Sequence, residues 1–250
     1  MRRVLTQIGI GIGVTSAAFA GLSAWSAYLT ISSPEKVEAR SLPAHLVEGD
    51  SDRGEKLLEV ALAADRSALT EAFQWQEKLS WCGVASAVTV LNAGGRSLSQ
   101  NSFFTEAVRE VRPWVATTFA GMPLEDLGEM LVAHQADVTV RHASTATVDD
   151  FRAVLRANAS NAEDFLIVNY DRQVVGQEGG GHISPVAAYS EEHDKLLLLD
   201  TARYKYPPHW LPVSMMFEAM DTIDSESDRS RGWAEVVVEP KPSVSAAEEG

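Results

Sequence analysis

The amino-acid sequence predicts an α+β domain, and three observations carry that assignment. Apolar residues recur at helical spacing from residue 54 to about residue 157. Short apolar runs bounded by turn-forming residues follow from residue 165 to residue 238. The two patterns do not alternate as β-α-β units would. A chain of 250 residues, 45% hydrophobic and 22% charged, is long enough to enclose one sizeable core.

The chain opens on Arg2 and Arg3, and residues 4–30 then carry no charged side chain. Residues 1–30 therefore read as a signal peptide or a signal anchor. Ala18-Phe19-Ala20 offers a small-x-small cleavage site. Kept as a helix, the uncharged run would extend roughly 40 Å at about 1.5 Å per residue, enough to cross a bilayer. The expectation is a protein exported to the periplasm, or held at the membrane through residues 4–30 and facing the periplasm. Residues 31–52, rich in Pro and charge, read as a linker, so the folded domain is expected over residues 53–238.

Residues 54–73 carry one helical pattern through Leu57, Leu58, Val60, Ala61, Leu62, Leu69 and Phe73. Val84, Ala87, Val88 and Leu91 fall on one helical face and predict a helix that Cys82 opens and Gly94-Gly95 stops. Further helices are expected over 101–111, 123–134 and 148–157, the last entered through Thr147 and two aspartates that suit a helix start. Residues 165–170, 183–189, 195–199 and 234–238 are predicted strands. Residues 239–250, with prolines, serines and acids, are expected to form a disordered tail.

Charge and cysteine usage narrow the function. Acidic residues number 35 against 21 basic, for a formal charge of -14, and no Lys/Arg cluster opposes that balance. Nucleic acid is excluded as an expected partner. Cys82 is the one cysteine of the chain, so no intramolecular disulfide can form, and a lone thiol in an exported protein calls for a chemical role. No C-x-x-C or H-x-x-x-H spacing accompanies it, and no metal site is expected.

A thiol at a helix N-terminus sits where exposed N–H groups and the helix dipole favour thiolate, the nucleophilic form. Gln76 precedes it by six positions and could donate a hydrogen bond to an oxyanion beside the backbone N–H of Cys82. The bland alternative is a small core cysteine with an ordinary surface glutamine. Of six histidines, His45 lies in the linker, His193 among acids in a turn, and His134 and His142 beside a helix end and a short strand. His182 follows Gly179-Gly180-Gly181 and opens a strand whose hairpin partner ends at Asp200. A hairpin centred on Glu191 would set residues 182 and 200 directly opposite; one centred between Glu192 and His193 would not, and Asp200 would then simply cap a turn.

The segments Trp81-Cys82-Gly83-Val84-Ala85-Ser86, Gly180-Gly181-His182-Ile183-Ser184-Pro185 and the run from Leu199-Asp200-Thr201 through Lys205-Tyr206-Pro207-Pro208-His209-Trp210, with Gly121-Met122-Pro123-Leu124 and Asn169-Tyr170, closely resemble phytochelatin synthases. The likeness is to the short bacterial members that have only a catalytic domain, and it covers roughly residues 55–238. It implies a papain-like fold, a helical N-terminal lobe packed on an antiparallel β-sheet lobe. It also implies a Cys82, His182 and Asp200 catalytic set with Gln76 at the oxyanion position. Arg172 and Arg231 would bind the γ-glutamyl carboxylate, with Gly181 and Tyr206 as further substrate contacts.

In that family the thiol attacks the carbonyl joining cysteine to glycine in glutathione, releases glycine, and is relieved of its acyl group by water or by a second glutathione. The resemblance thus implies a glutathione hydrolase yielding γ-glutamylcysteine, with phytochelatin synthesis by transfer as a second activity and a part in metal detoxification. The chain lacks the cysteine-rich C-terminal region of plant and yeast members, so hydrolysis is expected to lead. No cofactor is implied. Soft metal ions would act through a metal–glutathione substrate. Glutathione and related γ-glutamyl thiols are the expected partners, and a homodimer is carried among the expectations. Two alternatives remain: an exported papain-like peptidase for ordinary peptides, or a non-catalytic thiol- or metal-binding module.

Overall fold

The computed structural model describes residues 39–239. The expected signal or anchor, the first part of the linker and the tail beyond residue 239 lie outside the described residues. In chain order the elements are β1 (Val47–Glu48), α1 (Asp52–Glu59), α2 (Arg66–Ala72), α3 (Cys82–Ala93), α4 (Glu106–Val111), α5 (Trp114–Ala120), α6 (Leu124–Ala133), β2 (Ala136–His142) and, after a single 3-10 turn at Ala143–Thr145, α7 (Val148–Ala159). There follow β3 (Asp164–Asp171), β4 (Gly181–Ser190), β5 (Lys195–Leu198), β6 (His209–Pro212), α8 (Val213–Met220), the small hairpin β7 (Ile223–Asp224) and β8 (Arg229–Ser230), and β9 (Gly232–Val238).

Seven strands form one antiparallel sheet in the order β1-β6-β5-β4-β3-β9-β2. The apolar run of β3 is continuous because both faces of the sheet are covered. Phe165 and Ile167 point into a core shared with α3, α4 and α6, while Leu166, Val168 and Tyr170 point into a second core under α7 and α8. The result is an α+β arrangement: a helical layer built early in the chain, carrying the thiol, packs on an antiparallel sheet that carries the imidazole. Two helices from the second half cover the opposite face, which the lobe picture omits.

α3 lies inside the molecule, and every residue from Gly83 to Leu91 is buried, which explains a helix with almost no polar face. Its first turn fits against the start of β4 through Gly83, where an added Cβ would lie 3.0 Å from Met122 Sδ and 3.2 Å from Ile183 Cδ1. Ser86 Oγ then bonds the carbonyl of Ile183 at 3.1 Å. This contact brings Cys82 beside the strand that bears His182.

Three expectations need correction. The single helical pattern over 54–73 is two helices, because Leu62 leaves the helix and pairs with Tyr189, its N–H bonding the Tyr189 carbonyl at 2.9 Å. The linker expectation fails over its described part. Leu46 and Val47 are buried, Val47 and Glu48 pair with Trp210 and His209, and the folded body starts upstream of Arg53. α5, α8 and β6 are additional elements. The Thr147–Asp150 capping box of α7 is present as the sequence signals. Among the described residues no helix is long and apolar enough to cross a membrane.

Candidate active site

Cys82 opens α3 and is half-buried in the wall of a cleft of about 290 Å³ whose lining includes His182, Gly181, Asn169, Asp224 and Arg231. The segment leading into the helix is anchored from α5: Trp81 Nε1 donates to Thr118 Oγ1 at 2.9 Å, and Ser80 Oγ donates to the Thr118 carbonyl at 2.5 Å. Burial pushes the Cys82 thiol up, and the backbone of Ile183, the charge of Arg172 and the backbone of Gly83 only partly oppose it. The resting group is a thiol. Desolvation here works against the thiolate form that a helix N-terminus favours.

His182 lies on β4, and its Nε2 is 3.0 Å from Asp200 Oδ1. A carboxylate only accepts, so Nε2 carries the proton and Nδ1 is the basic nitrogen. The imidazole stands edge-on to Tyr170, ring centroids 5.8 Å apart. Burial, and after it the charge of Arg172, lowers the His182 pKa to about 4 against the pull of Asp200. Cys82 and His182 therefore line one cleft as a neutral pair, with Nδ1 as the accepting ring nitrogen of His182.

The His182–Asp200 contact does not arise from direct cross-strand opposition. Ser190 pairs with Lys195, Tyr189 with Leu196 and Ala188 with Leu197, so the hairpin is centred between Glu192 and His193. A bulge then brings Val186 opposite Leu198, and the Leu199 N–H bonds the Pro185 carbonyl at 3.0 Å. Asp200 sits past the end of β5 and reaches back diagonally. Its Oδ1 also accepts from the Ala202 N–H at 2.9 Å and from Arg172 NH2 at 2.7 Å. The guanidinium and the imidazole beside it hold the Asp200 carboxyl well below the usual carboxylate range despite its burial.

In the same cleft, Arg231 NH1 is tied to Thr222 Oγ1 at 3.0 Å and to the Ile223 carbonyl at 2.6 Å, while its Nε is buried without a hydrogen-bond partner among the described residues. Its guanidinium lies over Gly181, where an added Cβ would come within 2.9 Å of NH2. Asn169 Nδ2 donates to Asp224 Oδ2 at 3.3 Å, both residues being in the same lining. The cleft thus offers a fixed cation and a fixed anion close to the thiol–imidazole pair. That combination matches a zwitterionic α-amino acid group attached to an acyl chain.

The sequence profile of the family described as "Phytochelatin synthase" matches residues 37–233. The chain belongs to that family. It is 32% identical to glutathione gamma-glutamylcysteinyltransferase 2 of Arabidopsis thaliana over 204 residues, 78% of this chain and 45% of that one. It is 34% identical to glutathione gamma-glutamylcysteinyltransferase 1 of the same plant, over 66% of this chain and 35% of the other. With the Schizosaccharomyces pombe glutathione gamma-glutamylcysteinyltransferase it shares 26% identity over 80% of this chain and 50% of the other. The chain spans about half the length of these relatives, or less. Among solved structures, the Pseudomonas avirulence protein AvrPphB is similar at 12% identity with a TM-score of 0.29, covering 73% of this chain and 100% of the other, a likeness too weak to inform function.

For this member of the phytochelatin synthase family, the structure brings Cys82, His182, Asp200, Gly181 and Arg231 together and sets three expected residues apart. Arg172 is buried against Asp200 and is not among the residues that line the cleft, so in this structure it holds the carboxylate. Tyr206 is buried too. Its hydroxyl accepts from the Glu178 N–H at 2.9 Å and its ring lies under the Arg172 guanidinium at 5.2 Å, which fixes the Gly-rich loop. Gln76 donates both amide protons, to the carbonyls of Lys78 at 3.0 Å and Leu79 at 2.8 Å. It could serve an oxyanion only by exchanging one of these bonds.

Asn169, Asp224 and Met122 are cleft residues that the sequence reading did not select. Asn169 had a signal, a lone amide inside the apolar run of β3; Asp224, one acid among several in its loop, had none.

Proposed function

We propose that this protein is a thiol acyltransferase of glutathione whose leading reaction is hydrolysis to γ-glutamylcysteine and glycine. The observation that carries the reading is the Cys82 and His182–Asp200 arrangement sharing one cleft with Arg231 and Asp224. Arg231 would receive the α-carboxylate of the γ-glutamyl group, and Asp224 with Asn169 its α-ammonium. The scissile cysteinyl–glycine carbonyl would then stand at Cys82.

His182 Nδ1 takes the proton of Cys82 as sulfur attacks that carbonyl, and the backbone N–H of Cys82 steadies the oxyanion. The imidazolium returns the proton to the leaving nitrogen, the C–N bond breaks, and glycine departs. A γ-glutamylcysteinyl thioester remains on Cys82. Water, deprotonated by His182, cleaves it to γ-glutamylcysteine and restores the thiol. The amino group of a second glutathione in place of water would give the transfer product. Among the described residues the cleft presents a single guanidinium, that of Arg231, so it suits one γ-glutamyl group and the acceptor would approach from outside, which favours water. Soft metal ions enter this scheme as part of a metal–glutathione substrate.

The relatives' shared name, glutathione gamma-glutamylcysteinyltransferase, supports the choice of substrate. Mass spectrometry after brief mixing with glutathione tests it: a γ-glutamylcysteinyl adduct on the peptide containing Cys82 is expected, and an adduct on any other residue would refute the assignment.

A further inference from the structure

Behind His182, away from the cleft, runs a chain of polar side chains with almost no access to water: Asp200, Arg172, Gln177 and His209 are each between 0% and 4% exposed. Gln177 is brought there by a tight turn, its N–H bonding the Arg172 carbonyl at 2.9 Å. His209 stands at the start of β6, where its backbone pairs with Leu198 and Glu48. Neither side chain touches the cleft.

The bonding of this chain admits one arrangement. His209 Nδ1 is 2.8 Å from the Pro207 carbonyl, which can only accept, so Nδ1 carries the ring proton. His209 Nε2 is 3.1 Å from the Gln177 amide nitrogen, which can only donate, so Nε2 is a lone pair and His209 is neutral. The Gln177 amide oxygen is thereby turned toward Arg172 and accepts from its NH1. Flipping the amide would set donor against donor at the guanidinium and acceptor against acceptor at His209 Nε2. Arg172 presents its NH2 to Asp200 Oδ1, the oxygen that also receives His182. Among the described residues Asp200 Oδ2 is buried with no partner, so the rotation of this carboxylate rests on its Oδ1 donors, Arg172, the neutral His182 and the Ala202 N–H, of which Arg172 is the charged one.

We propose that His209 and Gln177 are positioning residues: by fixing the orientation of Arg172 they hold Asp200, and through it keep His182 in the tautomer whose Nδ1 can accept the proton of Cys82. The inference rests on the reading of Cys82 and His182 as the reacting pair but not on the identity of the substrate. A buried network has no water to substitute for a lost member, so an error at His209 is transmitted. The conservative replacement follows from the geometry. A glutamine at position 209 can offer an amide oxygen where Nε2 now accepts; a leucine cannot.

The test uses Cys82 as its own reporter, since the chain has no other thiol. The rate of alkylation by iodoacetamide is measured in the full chain for His209→Leu, Gln177→Met and His209→Gln. The tautomer of His182 is read by nitrogen-15 NMR, and Leu155→Ala, on α7 in the second core, controls for general destabilisation. Alkylation is expected to slow about tenfold or more in His209→Leu and Gln177→Met, with loss of the single Nε2–H tautomer, and to stay within about twofold of wild type in His209→Gln and Leu155→Ala. Should His209→Leu not fold, Gln177→Met, which keeps the side-chain volume, decides alone. Wild-type rates and an unchanged tautomer in the folded Gln177→Met variant would overturn the proposal, as would His209→Gln reacting as slowly as His209→Leu. A wild-type chain that alkylates normally yet leaves glutathione intact would instead sink the substrate reading and leave this one standing.

Discussion

Asp200 Oδ1 lies 3.0 Å from His182 Nε2 and receives the Arg172 guanidinium on the same oxygen at 2.7 Å. The imidazole is oriented by a carboxylate that is itself neutralised from behind. Asp200→Asn keeps the shape but weakens the grip on both partners, and it permits the amide to offer N–H where His182 now donates. A loss of about 10²–10⁴ in kcat/KM is expected from steady-state kinetics, because the wrong tautomer leaves no base at Nδ1. Arg172→Met should instead act first on stability, by about 3–5 kcal/mol in urea titration, since it strands a buried carboxylate.

The neutral state of His182 sets a pH dependence. Its pKa falls from 6.5 to about 4 on folding, so between these values the unfolded chain binds the proton and the folded chain does not. Stability contributed through this site is complete above about pH 6.5 and is lost as pH falls toward 4, by up to about 3 kcal/mol. Thermal unfolding of wild type and His182→Gln across this range should diverge in that direction. The acid limb of kcat/KM should lie near the same low value, below the range of an ordinary histidine.

Asp65 acts with the opposite sign. Both of its carboxylate oxygens are buried without a partner residue, and burial pushes its pKa from 3.8 up to about 7. Below 3.8 the penalty is absent; it grows as pH rises to about 7 and is full above that. Asp65→Asn should therefore stabilise the fold, and its advantage in urea titration should increase by roughly 2–3 kcal/mol between about pH 5 and about pH 8.

Gly181 separates binding from chemistry. A methyl group there would meet Arg231 NH2 at 2.9 Å and displace the guanidinium from the cleft. Gly181→Ala should raise the KM for glutathione by about tenfold while the alkylation rate of Cys82 stays near wild type, because only ground-state and transition-state binding in common is lost. Equal losses in KM and alkylation would place Arg231 in the chemistry instead.

Helix starts and caps were legible because they are local. Cys82 before an apolar helical face, Gly94 after it, and Thr147 with Asp150 each obey chemistry confined to a few residues. The hairpin register was not, since the bulge falls in the apolar run Val186-Ala187-Ala188, where no turn-forming residue marks it. Two-residue β1 hid in a Pro- and charge-rich stretch because its pairing partner, β6, is over 150 positions away. Arg172 shows the same limit at the site. A lone arginine after a strand suits a substrate carboxylate as well as a buried one, and only the diagonal reach of Asp200 decides between them.

The central claim is the use of Cys82 to remove glycine from glutathione. Product analysis of glutathione incubated with the purified full chain, with and without a soft metal ion, tests it most directly. The account predicts glycine and γ-glutamylcysteine in equal amounts, with transfer product as a minor component and no turnover by Cys82→Ser. Full activity in Cys82→Ser, or intact glutathione beside cleaved ordinary peptides, would contradict it.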